Sequence, residues 1–303
     1  MARRSTRTQA PLARSRAWLL RGVVLLALVL TLWIAGPGAW QALALRRAAQ
    51  PDMSPRVTLD RVGFHDLPTW VGDDLLVGIL QDLQPRLTGS IGIMDDAAAV
   101  LLETSLTDSP WVRSVSLRRR FPDRLVAELE LRRPLLSVHE GPDARLQCLV
   151  DAEGVCLPPI AGIGLPRTLL ANGVAAALEF GKVHGDPRVR ASALVAAEWR
   201  EEIAPQVPGV PDLAEVDASN LNYVFLADSR WSEIRVGLAG RNGGMAYFGY
   251  GHPPGCAAPR VASGTKASVL RKVLESFPEL KGLRGGDLRF QKRWRDWLIP
   301  RTD

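Results

Sequence analysis

The chain has 303 residues, 47% of them hydrophobic and 23% charged, which is enough to bury a sizeable core and excludes a disordered protein. At ~100–200 residues per domain the length points to two domains. The formal charge is +6, yet Arg3, Arg4, Arg7, Arg14, Arg16 and Arg21 precede every acidic residue and account for that excess by themselves. The remainder is near neutral, which argues against a general nucleic-acid binder.

Residues 22–45 carry no charge. As a helix, residues 22–40 would rise about 28 Å at ~1.5 Å per residue, one membrane crossing. Trp18 and Trp40 occupy aromatic-belt positions, and the arginine-rich side is expected in the cytoplasm. Pro37 falls near the far end, where it can kink or stop the span. A cleaved signal peptide is the competing reading, since Ala42, Leu43 and Ala44 resemble a small-residue cleavage site, although the apolar run exceeds the usual ~7–15 residues. The expected order is a cytoplasmic tail (1–21), a single-pass inner-membrane helix and its exit (22–45), a linker (46–55) and an exported remainder.

In the exported part, RVTLDRVGF (56–64) reads as a strand, and TWVGDDLLVGILQDL (69–83) and MDDAAAVLLETSL (94–106) as amphipathic helices. Asp73 and Asp74 suit a helix start, as does Asp95 or Asp96; Ala98, Leu101, Leu102 and Leu106 form the second apolar stripe. Ser109 and Pro110 stop that helix. The run PWVRSVSLRRRFPDRLVAELELRRPL (110–135) then reads as a hairpin turning at Phe121, Pro122 and Asp123. The register that puts both apolar faces on one side pairs Leu117 with Ala127 and Val115 with Leu129, and a one-residue slip would separate them. It places Arg118 diagonal to Glu128 and Arg132 near Glu130. The arginines then read chiefly as a solvated sheet face without base-stacking aromatics.

LVDAEGV (149–155) reads as a second turn, with Asp151 facing Val155 and Val150 facing Cys156. Cys148 is then diagonal to Cys156, so Cys148, Cys156 and Cys256 read as small buried hydrophobes rather than a disulfide framework. PRVRASALVAAEWREEI (187–203) reads as a helix with Val189, Ala193, Ala196 and Ile203 inward. LAEVDAS (213–219), LNYVFLA (221–227), SEIRVGLA (232–239) and MAYFGYG (245–251) read as strands, with a turn at Asn242, Gly243 and Gly244. TKASVLRKVLESF (265–277) reads as a helix capped by Ser263, and a last strand is expected from Asp287.

Pro110, Trp111, Val112, Arg120, Phe121, Pro122, Asp123, Leu125, Arg133, Pro134, Leu149, Val150, Asp151 and Gly154 stand in an order and spacing that resemble the membrane-proximal region of the bacterial division family FtsQ, also called DivIB. Asp287, Leu288, Arg289 and Phe290 match its last strand. The likeness is thin over 158–264, and the segments 88–94, 161–173 and 251–259 depart from it. The resemblance implies an α+β protein with a transmembrane helix, a POTRA-like β-α-α-β-β domain (56–136) and a mixed α+β domain dominated by an antiparallel sheet (137–303). It also implies a non-enzymatic scaffold of the cell division machinery whose C-terminal region receives a coiled-coil membrane pair, FtsB and FtsL. Arg289 and Phe290 carry over as partner-binding residues by motif, with Lys292, Trp294 and Trp297 added by position; packing of Phe290 and Trp294 as core is the competing reading. Arg118, Arg119 and Arg120 are candidates for lipid or partner docking.

Enzymatic signals are sparse. Ser263 and Lys266 have the Ser-x-x-Lys spacing of penicillin-recognising enzymes without their other motifs, and His252 and Cys256 lie close in sequence without a third ligand. An exported hydrolase using either pair is the alternative function. No cofactor, metal, nucleic acid or small-molecule substrate is expected.

Overall fold

The computed structural model describes residues 56–58, 62–65, 70–83, 85, 90–121, 124–140, 145–160, 163–170, 177–228, 230–240 and 244–301. Residues 56–303 form one compact unit. The expected strand over 56–64 is two strands, β1 (Arg56–Thr58) and β2 (Val62–His65), followed by α1 (Asp73–Leu83), β3 (Ser90–Gly92), α2 (Asp96–Thr107), β4 (Val112–Arg120) and β5 (Arg124–Leu131). Among the described residues β1 pairs with β3, in the 88–94 segment, whereas β2 runs parallel to β5 in a three-stranded sheet of order β2-β5-β4.

Helix α2 begins where Asp95 accepts the Ala98 N–H at 3.0 Å, satisfying one of the amides that a helix start leaves free. Its buried side is Leu102 and Leu106; Leu101, expected in the stripe, is 69% exposed. The β4–β5 register is the one that alternation requires, Leu117 to Ala127 and Val115 to Leu129. Leu125, Ala127, Leu129 and Leu131 thus join Leu75, Ile79, Leu102, Leu106 and Trp111 in one apolar core.

The chain continues through β6 (Leu136–Glu140), β7 (Arg145–Val150), β8 (Cys156–Leu157), β9 (Arg167–Leu169), α3 (Pro187–Glu198), β10 (Leu213–Asp217), β11 (Ile234–Ala239), β12 (Met245–Gly251), α4 (Ser263–Ser276), β13 (Leu283–Asp287) and β14 (Ile299–Pro300). These strands form a nine-stranded sheet of order β14-β13-β12-β11-β10-β9-β6-β7-β8. Asp186 caps α3 by accepting the Arg188 N–H, and Val189, Ala193 and Ala196 go inward as their spacing requires. The β7–β8 hairpin joins two cores. Leu149 and Leu157 belong to the core of the smaller sheet, while Cys148, Val150 and Cys156 belong to that of the larger one.

The expected fold class needs correction. Among the described residues no helix is long and apolar enough to cross a membrane, and the span expected over 22–45 lies outside them. The large sheet is mixed: five of its eight strand pairs are antiparallel, but β9 runs parallel to both β6 and β10, and β12 parallel to β13. Helices make two of these crossovers, α3 between β9 and β10 and α4 between β12 and β13, while the β6-to-β9 connection runs through β7 and β8. Parallel neighbours need such crossovers.

Two strand expectations fail locally. Residues 221–227 form a 3-10 turn (Leu221–Tyr223) and an exposed loop rather than a strand. The Asn220 side chain accepts the Phe225 and Leu226 N–H groups, which competes with ladder pairing. The last long strand, β13, ends at Asp287 rather than beginning there. Asp287 Oδ1 accepts the Arg289 N–H at 2.9 Å, turning the chain out of the sheet into the 3-10 turn Trp294–Trp297.

Candidate docking site

The hairpin arginines do not act as one patch. In the β4–β5 register Arg119 stands opposite Leu125, on the helix-covered face, and it pairs with Asp96 at the start of α2. Arg118 and Arg120 alternate to the open face, where Arg118 reaches Glu128 at 3.0 Å as expected. Arg132 does not meet Glu130. It bonds Asp151 at 2.8 Å and Glu153 at 2.9 Å across the β7–β8 turn, while Glu130 is taken by Arg113 and Ser114.

The C-terminal residues divide as well. The Arg289 guanidinium bonds Asp287 and the Arg230 carbonyl at 2.7 Å, and it lies 5.2 Å from the centre of the Phe290 ring. Phe290 stacks on Trp297 with ring centres 4.2 Å apart and planes 12° from parallel. Arg289, Phe290, Lys292 and Trp297 line one surface cleft of about 600 Å³, together with Asp296. Trp294 does not share it: that ring packs against the core of the large sheet, with Arg295 over it.

A second groove, of about 640 Å³, shares Asp296 and Trp297 and runs over the open face of β11, β12 and β13 to the edge strand β14. Arg230, Trp231, Arg235, Tyr247, Arg284 and Ile299 line it. Sequence reading missed these residues because they come from four separate segments. Trp231 was the available signal: it is 53% exposed, and Ile299 51%. The floor continues into an ionic ladder. Arg167 and the Tyr247 hydroxyl each bond Glu215 at 2.6 Å, and Arg235 bonds Asp217. Burial, and then the Glu215 carboxylate, push the Tyr247 phenol up to about 12, so it remains a donor at neutral pH.

The alternative catalytic pairs are engaged elsewhere. Ser263 Oγ donates to Glu202 at 2.5 Å rather than capping α4, whose cap residue is Ala262. Lys266 Nζ is fully buried, 3.3 Å from Glu198 and 3.4 Å above the Tyr250 ring. Burial pulls it down to about 8 against the opposing pull of Glu198. His252 Nδ1 meets Glu233 at 2.8 Å, and Cys256 donates to the Ala258 carbonyl. Instead, the structure gathers Cys148, Cys156 and His184, whose sulfur and ring-nitrogen atoms lie within 4.8 Å of one another. Sequence spacing hides this group, since His184 lies on a separate segment beyond β9. Neither a scan against models of known protein families nor a search of curated proteins returns a match.

Proposed function

We propose that the chain is a non-enzymatic docking scaffold of the FtsQ/DivIB kind, serving the bacterial division machinery. Its partner surface is the C-terminal cleft and groove around Phe290, Trp297 and β14, which takes an FtsB/FtsL-like coiled-coil pair. One observation carries the reading: β14 is the terminal strand of a nine-stranded sheet and stands beside a groove rich in arginine and tryptophan. A terminal strand offers unpaired backbone groups to an added strand, and Arg and Trp are the residue types that anchor interfaces. Arg230, Arg235 and Arg284 favour an acidic segment on the partner.

The experiment is co-expression of the full chain with the FtsB- and FtsL-like proteins of the same cell, with photo-crosslinking residues at Trp231 or Ile299. Crosslinks to the coiled-coil pair from both positions support the reading, and their absence from both removes it. An active-serine or active-cysteine probe that labels the folded chain at Ser263 or Cys256 would favour the hydrolase instead.

A further inference from the structure

Register and packing bring three chemically active side chains to one buried point. Val150 pairs with Cys156, so Cys148, two residues earlier, lies on the same face of the β7–β8 hairpin. A strap, residues 181–184, runs along the outer side of β8. It is held by Gly181 N–H to the Cys156 carbonyl (2.8 Å), Cys156 N–H to the Lys182 carbonyl (2.9 Å) and His184 N–H to the Gly154 carbonyl (2.8 Å). It delivers the His184 ring to the two sulfurs, and all three side chains are buried. His184 Nδ1 accepts the Asp186 N–H at 3.0 Å, so a neutral ring carries its proton on Nε2, and that buried atom has no hydrogen-bond partner. An unmet buried donor is destabilising, and a nearby thiolate acceptor would relieve it.

We propose that Cys148 and Cys156 are a redox pair that a disulfide donor oxidises to an intramolecular disulfide, with the neighbouring His184 ring favouring Cys156 as the attacking thiolate. A metal ion on the same three atoms is the weaker use of the site. It needs a lone pair at Nε2, which a neutral ring accepting at Nδ1 does not have. The surrounding groups agree with thiol chemistry. Burial pushes His184 down, with Arg190 acting in the same sense and Asp186 against it, so the ring is neutral at pH 7. The hydrogen bond from Cys148 pulls Cys156 down, while burial and Asp151 oppose it; Cys148 is pushed up by the same bond and by its burial.

The reaction has two steps. Cys156 thiolate attacks one donor sulfur, breaking the donor S–S bond and releasing the first donor thiolate; a mixed disulfide remains on Cys156. Cys148 gives its proton to the released thiolate and attacks Cys156 Sγ, expelling the second donor thiolate, which takes a proton from solvent. Two electrons pass to the donor, and two donor thiols result. Access requires local lifting of the strap, whose Val183 is 51% exposed. The product would staple β7 to β8 where the two apolar cores meet.

The full chain, as a Cys256→Ser variant, is incubated folded with oxidised glutathione, alkylated and mapped by peptide mass. The expected product is a Cys148–Cys156 linked peptide, with Tm raised by about 5–10 °C. Cys148→Ser should stop at glutathione on Cys156. His184→Phe should slow the reaction about tenfold or more at pH 7 and move its half-maximal pH upward. If that variant does not fold, the wild-type pH–rate profile decides: a midpoint below about 8.5 supports the histidine's role, and a midpoint at or above it removes that role. Cysteines that stay reduced in the folded chain but link in urea overturn the proposal, as does a stoichiometric bound zinc ion that blocks oxidation.

Discussion

Lys266→Met isolates the energetics of the most deeply buried charge. In the native chain Lys266 is fully buried, and Glu198, 3% exposed, serves both it and Arg260. Burial lowers the lysine from its ordinary value near 10.5 to about 8, so between those values the unfolded chain holds a proton that the folded chain has released. Stability rises with pH wherever the unfolded state binds more protons, so this site should add stability from pH 8 to 10.5. The gap corresponds to ~3 kcal/mol at its upper end. Below pH 8 the folded site carries its full charging cost, and methionine, similar in volume, should leave the protein as stable or more stable. Urea unfolding of both chains from pH 7 to 10.5 reads the difference directly. Wild type should gain on Lys266→Met by about 3 kcal/mol across that window, with other lysines and tyrosines cancelling in the subtraction. A difference that stays flat with pH refutes the reasoning.

Four further outcomes follow from particular contacts. Glu198→Ala leaves Lys266 buried without its carboxylate and should cost ~3–5 kcal/mol at pH 7, read by denaturant midpoint. Gly285→Ala would place a methyl 1.8 Å from the Tyr247 carbonyl oxygen, so β12–β13 pairing must break, and the chain should lose cooperative melting by circular dichroism. Asp151→Ala removes the acceptor of the Glu153 and Val155 N–H groups and the partner of Arg132, an expected loss of ~2–4 kcal/mol in urea. Arg118→Gln with Arg120→Gln, on the open sheet face, should change stability by less than about 0.5 kcal/mol in the same assay.

Strict alternation made the smaller sheet legible. Val115, Leu117, Ala127 and Leu129 admit one register that puts their apolar faces together, and the structure adopts it. Helices α1 to α4 were visible through their 3.6-residue spacing, and α1 and α2 also through acidic starts at Asp73, Asp74 and Asp95. What escaped was decided by groups far apart in sequence. Nothing local marks Leu283–Asp287 as a strand, because its Gly285 and Gly286 carry little strand preference; Gly285 is there since β13 passes too close to the Tyr247 backbone for a side chain, and a Cβ on Gly286 would crowd Leu298 and Phe248. LNYVFLA has strand composition but loses to the Asn220 side chain. At the candidate site Phe290 was put forward by motif and Trp297 by position, and the structure stacks the two rings; Trp294, also put forward by position, turns to the core. The Trp231 and Arg284 walls of the groove come from other segments and carry no common spacing.

The most direct measurement is quantitative binding of the FtsB/FtsL-like pair by the full chain and by a Phe290→Ala, Trp297→Ala variant that still melts cooperatively. Removing this stacked pair should take away Trp297, which the cleft and the groove share, and the Phe290 ring stacked on it in the cleft. Loss of co-purification, with affinity lowered about 100-fold or more, is the expected result. Undiminished binding by the folded variant would contradict the placement of the partner at this end of the sheet.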